Sequence, residues 1–104
     1  MIVVDSHQHY WDPAVLGLPA PPPEAAVLGR AFLPADLQPE LARAGVHYTV
    51  LVQGYPQRDD VNAWLCQQAD ANACVVGVVA WADLTAPDQL HTTLDRLQRE
   101  FKVE

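Results

Sequence analysis

The sequence predicts an α/β fold in which three parallel strands alternate with helices. Three short runs rich in β-branched residues are expected to form strands at about residues 2–9, 46–53 and 75–81. Apolar residues recur at helical spacing between and after these runs, and no Asn-Gly or similar hairpin signal interrupts the alternation. Strands that alternate with helices are joined by right-handed crossovers, so the sheet is predicted to be parallel.

The first strand opens with the apolar run 2–4 and ends in two histidines. His7 and His9 are two residues apart, so they are expected on one face of the strand, with Asp5 beneath them. Their backbones lie roughly 6.5 Å apart, which lets both rings reach one ion at about 2.0–2.1 Å. The pair is therefore a candidate half-site for a divalent metal. Alternatively, the two histidines are polar residues at a strand end, bonded to neighbours or to water.

A proline-rich segment, residues 12–33, follows this strand. The three consecutive prolines at 21–23 predict an extended, partly polyproline connection, and exclude both helix and central strand there. Connections longer than about 12–15 residues are often binding loops or disordered segments. Because this one leaves the strand end that carries the histidines, it forms either a wall or lid over a site or a plain surface crossover.

A short amphipathic helix and the second strand come next. The helix is expected to hold Pro39 in its first turn and to end at Gly45. Its apolar positions are Leu37, Leu41 and Ala44. The strand at 46–53 follows immediately and is ended by the turn residues 54–56.

Two further helices flank the third strand. Asp59 or Asp60 is placed to cap the first, which should run to about Asn72. The third strand is apolar at every position other than glycine, as expected when both faces are covered. Residues 85–88 have the form of a capping box for the last helix. The apolar stripes of the two helices consist of Val61, Trp64, Leu65 and Ala69, and of Leu90, Leu94, Leu97 and Phe101.

Polar and aromatic side chains follow all three strands. In parallel α/β folds the functional residues gather at the carboxyl ends of the strands. Besides the two histidines, the candidates for lining a substrate pocket are Trp11, Gln53, Trp81 and Asp83.

Composition excludes several classes of partner. The net charge is −7, from 6 basic and 13 acidic residues without any Lys/Arg cluster, which argues against binding to nucleic acid or to anionic membranes. No apolar run reaches the roughly 18 residues that span a bilayer, and no secretory signal follows Met1, so a cytoplasmic protein is expected. Cys66 and Cys74 lack metal-site spacing and are expected to be buried thiols. His47 and His91 are expected on the surface.

The segment Asp5–Pro13, DSHQHYWDP, closely resembles the opening of the amidohydrolase-2 branch of the metal-dependent hydrolases. The match is nearest to the sugar-lactonase and dicarboxylate-lactonase-like members. The motif D-x-H-x-H alone is moderately specific, because phosphoesterases of the PHP type also open with HxH. An ordered set of further segments extends the likeness over essentially the whole chain. These segments are 32–37, 44–46, 49–53 and 77–84.

The resemblance implies a (β/α)8 barrel, of which this chain holds the first three βα units, with His7 and His9 as metal ligands of strand 1. Such enzymes draw further histidines from middle strands and an aspartate from the last strand, and neither can be matched here. A divalent metal, zinc above all, is the implied cofactor. Some lactonases of this branch are thought to work without a tightly held metal, and the pair would then bind the substrate carbonyl or water.

The expected function of the whole protein is hydrolysis of a lactone or a related carboxylate-bearing ring. A decarboxylase of the same family is the alternative within enzymes. The 104 residues alone are expected to be inactive, and to be marginally stable or self-associating because the sheet has two unpaired edges and an uncovered apolar face. A different class of protein, a non-catalytic self-associating α/β module, is the remaining alternative.

Overall fold

A computed structural model describes residues 1–100 as one parallel sheet with helices. The strands are β1 (Val4–Gln8), β2 (Tyr48–Val52) and β3 (Val75–Val79), in the spatial order β1-β2-β3, and both pairings are parallel. The helices are α1 (Pro13–Leu16), a 3-10 helix (Pro23–Gly29), α2 (Pro34–Ala44), α3 (Asp59–Ala71) and α4 (Pro87–Glu100). The predicted α/β fold is confirmed, and Phe101 of the predicted stripe lies outside the described residues.

Each strand is shorter than predicted, and at the carboxyl ends of β1 and β3 side chains make the next contacts. Past β1, the ring of His9 contacts the Val52 carbonyl of β2. Past β3, the backbone N–H and C=O of Trp81 are both bonded to the side chain of Asn62 in α3. The regular ladder therefore stops at Gln8 and Val79.

A bulge in β1 changes the predicted placement of Asp5. Asp5 pairs with Thr49 and Gln8 pairs with Leu51, so two residues of β1 stand opposite one residue of β2. Asp5 and Gln8 consequently share a face, and the Gln8 amide donates to the Asp5 carboxylate at 2.5 Å. The expectation that Asp5 lies beneath the histidines is wrong, because simple alternation fails across the bulge.

The proline-rich segment is more ordered than predicted. Asp12 accepts a hydrogen bond from Ala14 at 3.1 Å and caps α1, whose first residue is Pro13. Pro23, the last of the three prolines, is likewise the first residue of the 3-10 helix. The exclusion of helix from this segment is wrong, because proline is tolerated at the first helical position, where its missing N–H needs no partner.

Three predicted helix starts also differ. Helix α2 begins at Pro34, five residues before Pro39, because the Asp36 carboxylate accepts the Leu33 N–H at 3.0 Å. Helix α3 begins with Asp59 already inside it, and Arg58 is the residue that precedes it. Thr85 donates its hydroxyl to Asp83 at 2.5 Å instead of capping α4. The predicted ends at Gly45, with φ of 69°, and at Asn72 are confirmed.

The core lies on one side of the sheet, where α3 packs against β3. Leu51 and Val78 are fully buried there, whereas Val76 and Val79 of the same third strand remain 44% exposed. The expectation that both faces of β3 are covered is wrong for residues 1–100. The opposite face stays open and presents Val4, Tyr48 and Val79. Within the described part of the chain, no helix has the length and apolarity to cross a membrane.

Candidate functional site

The two histidines at the end of β1 face each other across a short gap. Their Nε2 atoms are 3.2 Å apart, and the rings meet edge to face with centroids 4.8 Å apart. Both rings are exposed, on the side of the strand opposite Gln8. The predicted common orientation of His7 and His9 is therefore observed.

The ring of His9 is held by the end of β2. Its Nδ1 lies 2.8 Å from the Val52 carbonyl oxygen, which can only accept, so Nδ1 carries the proton and donates it. In the neutral ring this leaves the Nε2 lone pair directed at His7. Gly54 gives the ring its space, because a Cβ atom there would stand 3.3 Å from the Nδ1 atom.

The pair fits two of the ligands of a metal ion. Two nitrogens that ligate one ion tetrahedrally at about 2.0–2.1 Å stand about 3.3 Å apart, close to the observed 3.2 Å. The oriented His9 tautomer is also the one that a metal-binding histidine needs. Among residues 1–100 no further His, Cys, Asp or Glu joins the pair in a group of three. Asp5 is turned away, and its carboxylate accepts from the His7 N–H and from Gln8.

A pocket of about 740 Å³ opens beside the histidines, and the proline-rich segment forms one of its walls. Trp11 connects the start of the segment to its end. Its backbone pairs with Phe32, and its indole N–H donates to the Leu28 carbonyl at 2.8 Å. Residues Leu28, Arg30 and Phe32 line the pocket together with Trp11 and the two histidines. The segment thus contributes a wall to the pocket, and Trp11 is one of the residues that line it.

Gln53 lies elsewhere, in a buried network behind the strand ends. It is 8% exposed, its amide group donates to Asn62, and its carbonyl accepts from the Arg58 N–H at 2.9 Å. Asn62 is fully buried and also holds Trp81, donating to its C=O at 2.7 Å and accepting from its N–H at 2.8 Å. The structure uses Gln53 to connect β2 to α3. Asn62 was missed because a polar residue beside an apolar stripe looks like any helical surface residue.

Trp81 and Asp83 lie at a second, smaller pocket of about 230 Å³, away from the histidines. The exposed Asp83 carboxylate accepts from both the hydroxyl and the N–H of Thr85, and these two hydrogen bonds lower its pKa. The structure therefore groups His7, His9 and Trp11 at one pocket and Trp81 and Asp83 at another.

The two cysteines were expected to be buried, and this holds for Cys66, whereas Cys74 is half-buried just before β3. Cys66 and Cys74 are free thiols, and burial raises the pKa of Cys66 to about 11, so it stays protonated at neutral pH. His47 and His91 are exposed. Arg30 is the other residue that sequence reasoning missed, because nothing local distinguishes it from a surface arginine in a loop.

Known proteins are similar to this chain in both sequence and fold. No family model matches it. It is 40% identical over 85 residues to an L-fucono-1,5-lactonase of Burkholderia ambifaria, and 34% identical over 84 residues to an L-fucono-1,5-lactonase of Burkholderia multivorans. These matches take in 82% and 81% of this chain, and the chain spans only 29% and 28% of the relatives' lengths.

The fold matches an amidohydrolase from Burkholderia multivorans that was crystallised with bound zinc, with a TM-score of 0.81 and 29% identity. The match covers 100% of this chain and 36% of that protein. A second crystal form of an amidohydrolase from the same organism, with bound HEPES, gives a TM-score of 0.80 at 29% identity, and 35% of it is covered.

Proposed function

We propose, on the premise that this chain is related in sequence and fold to amidohydrolases, that it supplies part of the active site of a hydrolase that opens lactone rings. The observation that carries the proposal is the His7–His9 pair, with its Nε2 atoms 3.2 Å apart beside a pocket of about 740 Å³. The similarity to lactonases, 40% and 34% identity over most of this chain, supports the choice of substrate.

We propose that His7 and His9 supply two ligands to a divalent metal ion, zinc by preference. A relative of the same fold was crystallised with bound zinc. When bound, such an ion polarises the ester carbonyl and lowers the pKa of a water molecule. The chain's own contribution is orientation: the Val52 carbonyl fixes the proton of His9 on Nδ1, and Gly54 leaves the ring room to keep its Nε2 atom directed at the site.

The residues of the pocket wall favour a small, ring-shaped molecule as the substrate. Trp11 and Phe32 place aromatic surface in the pocket beside the histidines, and Trp11 is anchored by its hydrogen bond to the Leu28 carbonyl. An apolar pocket with a few convergent polar groups is typical of small-molecule sites.

Free thiols at Cys66 and Cys74 support a reducing compartment, the cytoplasm, as the place of action.

Hydrolysis of L-fucono-1,5-lactone by the protein as its gene encodes it tests this function. His7→Ala and His9→Ala are expected to lower kcat/KM by about 100-fold or more, because loss of a ligand should cost at least as much as loss of a residue that orients one. His91→Ala, an exposed histidine in α4, is the matched control and should behave as the wild type. Equal activity of His7→Ala and His91→Ala would contradict the proposal.

We propose that the 104 residues alone are inactive, bind zinc weakly, and either self-associate or are marginally stable. Two imidazoles are fewer than the three protein ligands of typical catalytic zinc sites. The open sheet face presents Val4, Tyr48 and Val79 to water. Sedimentation at high concentration should show oligomers or partial unfolding. A monomer that unfolds cooperatively, or sub-micromolar zinc affinity that vanishes in His7→Ala, would overturn this expectation.

A further inference from the structure

The peptide group between Val52 and Gln53 connects the end of β1 to the end of β3. Its carbonyl oxygen lies 2.8 Å from Nδ1 of His9, on the side of β1. Its N–H donates to the Val79 carbonyl at 2.9 Å, on the side of β3. A peptide group is planar and trans, so these two contacts fix the tilt of one rigid unit from opposite sides. The direction of the His9 ring therefore depends on this peptide group.

The backbone contact with β3 is a weak restraint by itself. Because β2 ends at Val52 and β3 ends at Val79, the hydrogen bond of the Gln53 N–H lies at the very end of the ladder. Such terminal contacts open most readily in folded proteins, since few neighbours hold them. Next along the chain, Gly54 has no side chain and Tyr55 is 73% exposed. The side chain of Gln53 is therefore the first group beyond β2 that can anchor the peptide group.

The contacts of the Gln53 side chain make it such an anchor. It is 8% exposed, its amide group donates to Asn62 of α3, and its carbonyl oxygen accepts the Arg58 N–H at 2.9 Å. Asn62 is fully buried and is itself bonded to both backbone groups of Trp81. Neither Asn62 nor Arg58 lines the larger pocket. Gln53 is thus fixed from behind by parts of the fold that lie outside the site.

We propose that Gln53 is a positioning residue for His9. By fixing the peptide group that it shares with Val52, it keeps the proton of His9 on Nδ1 and the Nε2 lone pair directed at His7. The inference rests on the proposed metal-binding role of the histidine pair and adds a residue that touches neither substrate nor metal. Loss of a group that orients a metal-binding histidine typically lowers metal affinity about 10–100-fold. Since Gln53 acts through the Val52 carbonyl, we expect the lower end of that range.

Gln53→Met tests the inference in the protein as its gene encodes it. Methionine keeps the length of the side chain and loses both hydrogen bonds. In the metal-free wild type, NMR of the imidazole nitrogens should show neutral His9 with its proton on Nδ1. In the metal-free variant, the ring should become a mixture of its two neutral tautomers. Titration with zinc should show an affinity about tenfold lower than that of the wild type.

Gln68→Met is the matched control, because it makes the same change at a half-buried glutamine of α3 that does not line the pocket. It should keep the His9 tautomer and the zinc affinity of the wild type. Leu97→Ala, at a buried leucine of α4, controls for lost stability: it should unfold at a lower urea concentration and still bind zinc as the wild type does.

A second variant covers the case in which Gln53→Met does not fold, as judged by circular dichroism. Gln53→Asn keeps an amide group, but it is one methylene shorter and cannot reach both partners, so the same changes are expected. A folded Gln53 variant with the tautomer and zinc affinity of the wild type would overturn the inference. So would failure of both variants to fold, since Gln53 would then serve the fold alone, or an equal loss of zinc affinity in Leu97→Ala.

Failure of the proposed function would show differently. In that case the lactone would not be hydrolysed, or His7→Ala would leave hydrolysis unchanged, while the His9 tautomer would still change in Gln53→Met. Failure of the positioning role alone would leave His7-dependent hydrolysis intact, with Gln53→Met showing the zinc affinity of the wild type.

Discussion

The carboxyl ends of β1 and β3 carry similar residue types and use them in opposite ways. At the end of β1, His7 and His9 are exposed, and their facing Nε2 atoms open onto a pocket. At the end of β3, Asn62 satisfies the backbone of Trp81 from behind, and Asp83 bonds to its own neighbour Thr85. Polar residues at a strand end therefore indicate function only where their donors and acceptors are not already used by the fold.

Removal of Asn62, at the carboxyl end of β3, should have the largest effect on stability. Asn62→Leu leaves the N–H and C=O of Trp81 and the amide of Gln53 without their partner, and unpaired buried groups cost about 1–3 kcal/mol each. We expect the free energy of unfolding of the protein as its gene encodes it to fall by about 3 kcal/mol or more in urea titrations. Asn72→Ala, which loses one hydrogen bond to the Gln68 carbonyl, is the control and should cost about 1 kcal/mol. A similar cost for both variants would show that the network is dispensable.

High pH should destabilise the buried side of the sheet. Burial raises the pKa of Cys66 from 9.0 to about 11 and that of Tyr10 from 10.0 to about 12, so both groups keep their protons longer in the folded chain than in the unfolded one. These two groups therefore leave stability unchanged below about pH 9 and lower it as the pH rises towards 11 and 12. The loss should reach roughly 2–3 kcal/mol for each group.

Unfolding titrations from pH 8 to pH 11 check this expectation. Cys66→Ala should remove the part of the loss that begins near pH 9, whereas Cys74→Ala, at a half-buried thiol, should keep it. A stability profile that stays flat to pH 11 would mean that neither group is protected from water in the folded chain.

A single methyl group should disturb the histidine pair at the carboxyl end of β1 without unfolding the protein. In Gly54→Ala the new Cβ atom would stand 3.3 Å from Nδ1 of His9, so the ring must shift and its hydrogen bond to Val52 weakens. We expect zinc affinity to fall about tenfold, the effect typical of losing a residue that orients a ligand. His91→Ala should leave the affinity unchanged. Wild-type affinity in Gly54→Ala would show that the ring position is not critical.

The smallest expected effect concerns Asp83, which follows the carboxyl end of β3. Thr85→Val removes the hydroxyl that is the main cause of the lowered pKa of this carboxyl group, and leaves the Thr85 N–H as the second cause. The pKa should rise towards its ordinary value, as followed by NMR titration of the carboxyl carbon. Asp88, an acid in the first turn of α4, serves as the internal reference. An unchanged pKa of Asp83 would assign the shift to the backbone bond alone.

Much of the fold followed from local patterns. The β-branched runs and the helical stripes predicted the three strands and the helices between them, and Gly45 marked the end of α2. The structural match to 36% of an amidohydrolase agrees with the predicted three βα units of a barrel. The first residues of helices were predicted less well, because proline and acidic residues suit several positions of a first turn, and Leu33, Arg58 and Thr85 show how nearby contacts choose among them.

The sequence by itself determined that two histidines share one side of β1, because side chains two residues apart in a strand point the same way. Only the tertiary structure decided what surrounds them. The register with β2 introduced the bulge that turned Asp5 away, packing of α3 enclosed Gln53 and Asn62, and the return of the proline-rich segment brought Arg30 to the pocket. These outcomes depend on residues far apart in the chain, so no local period or spacing encodes them.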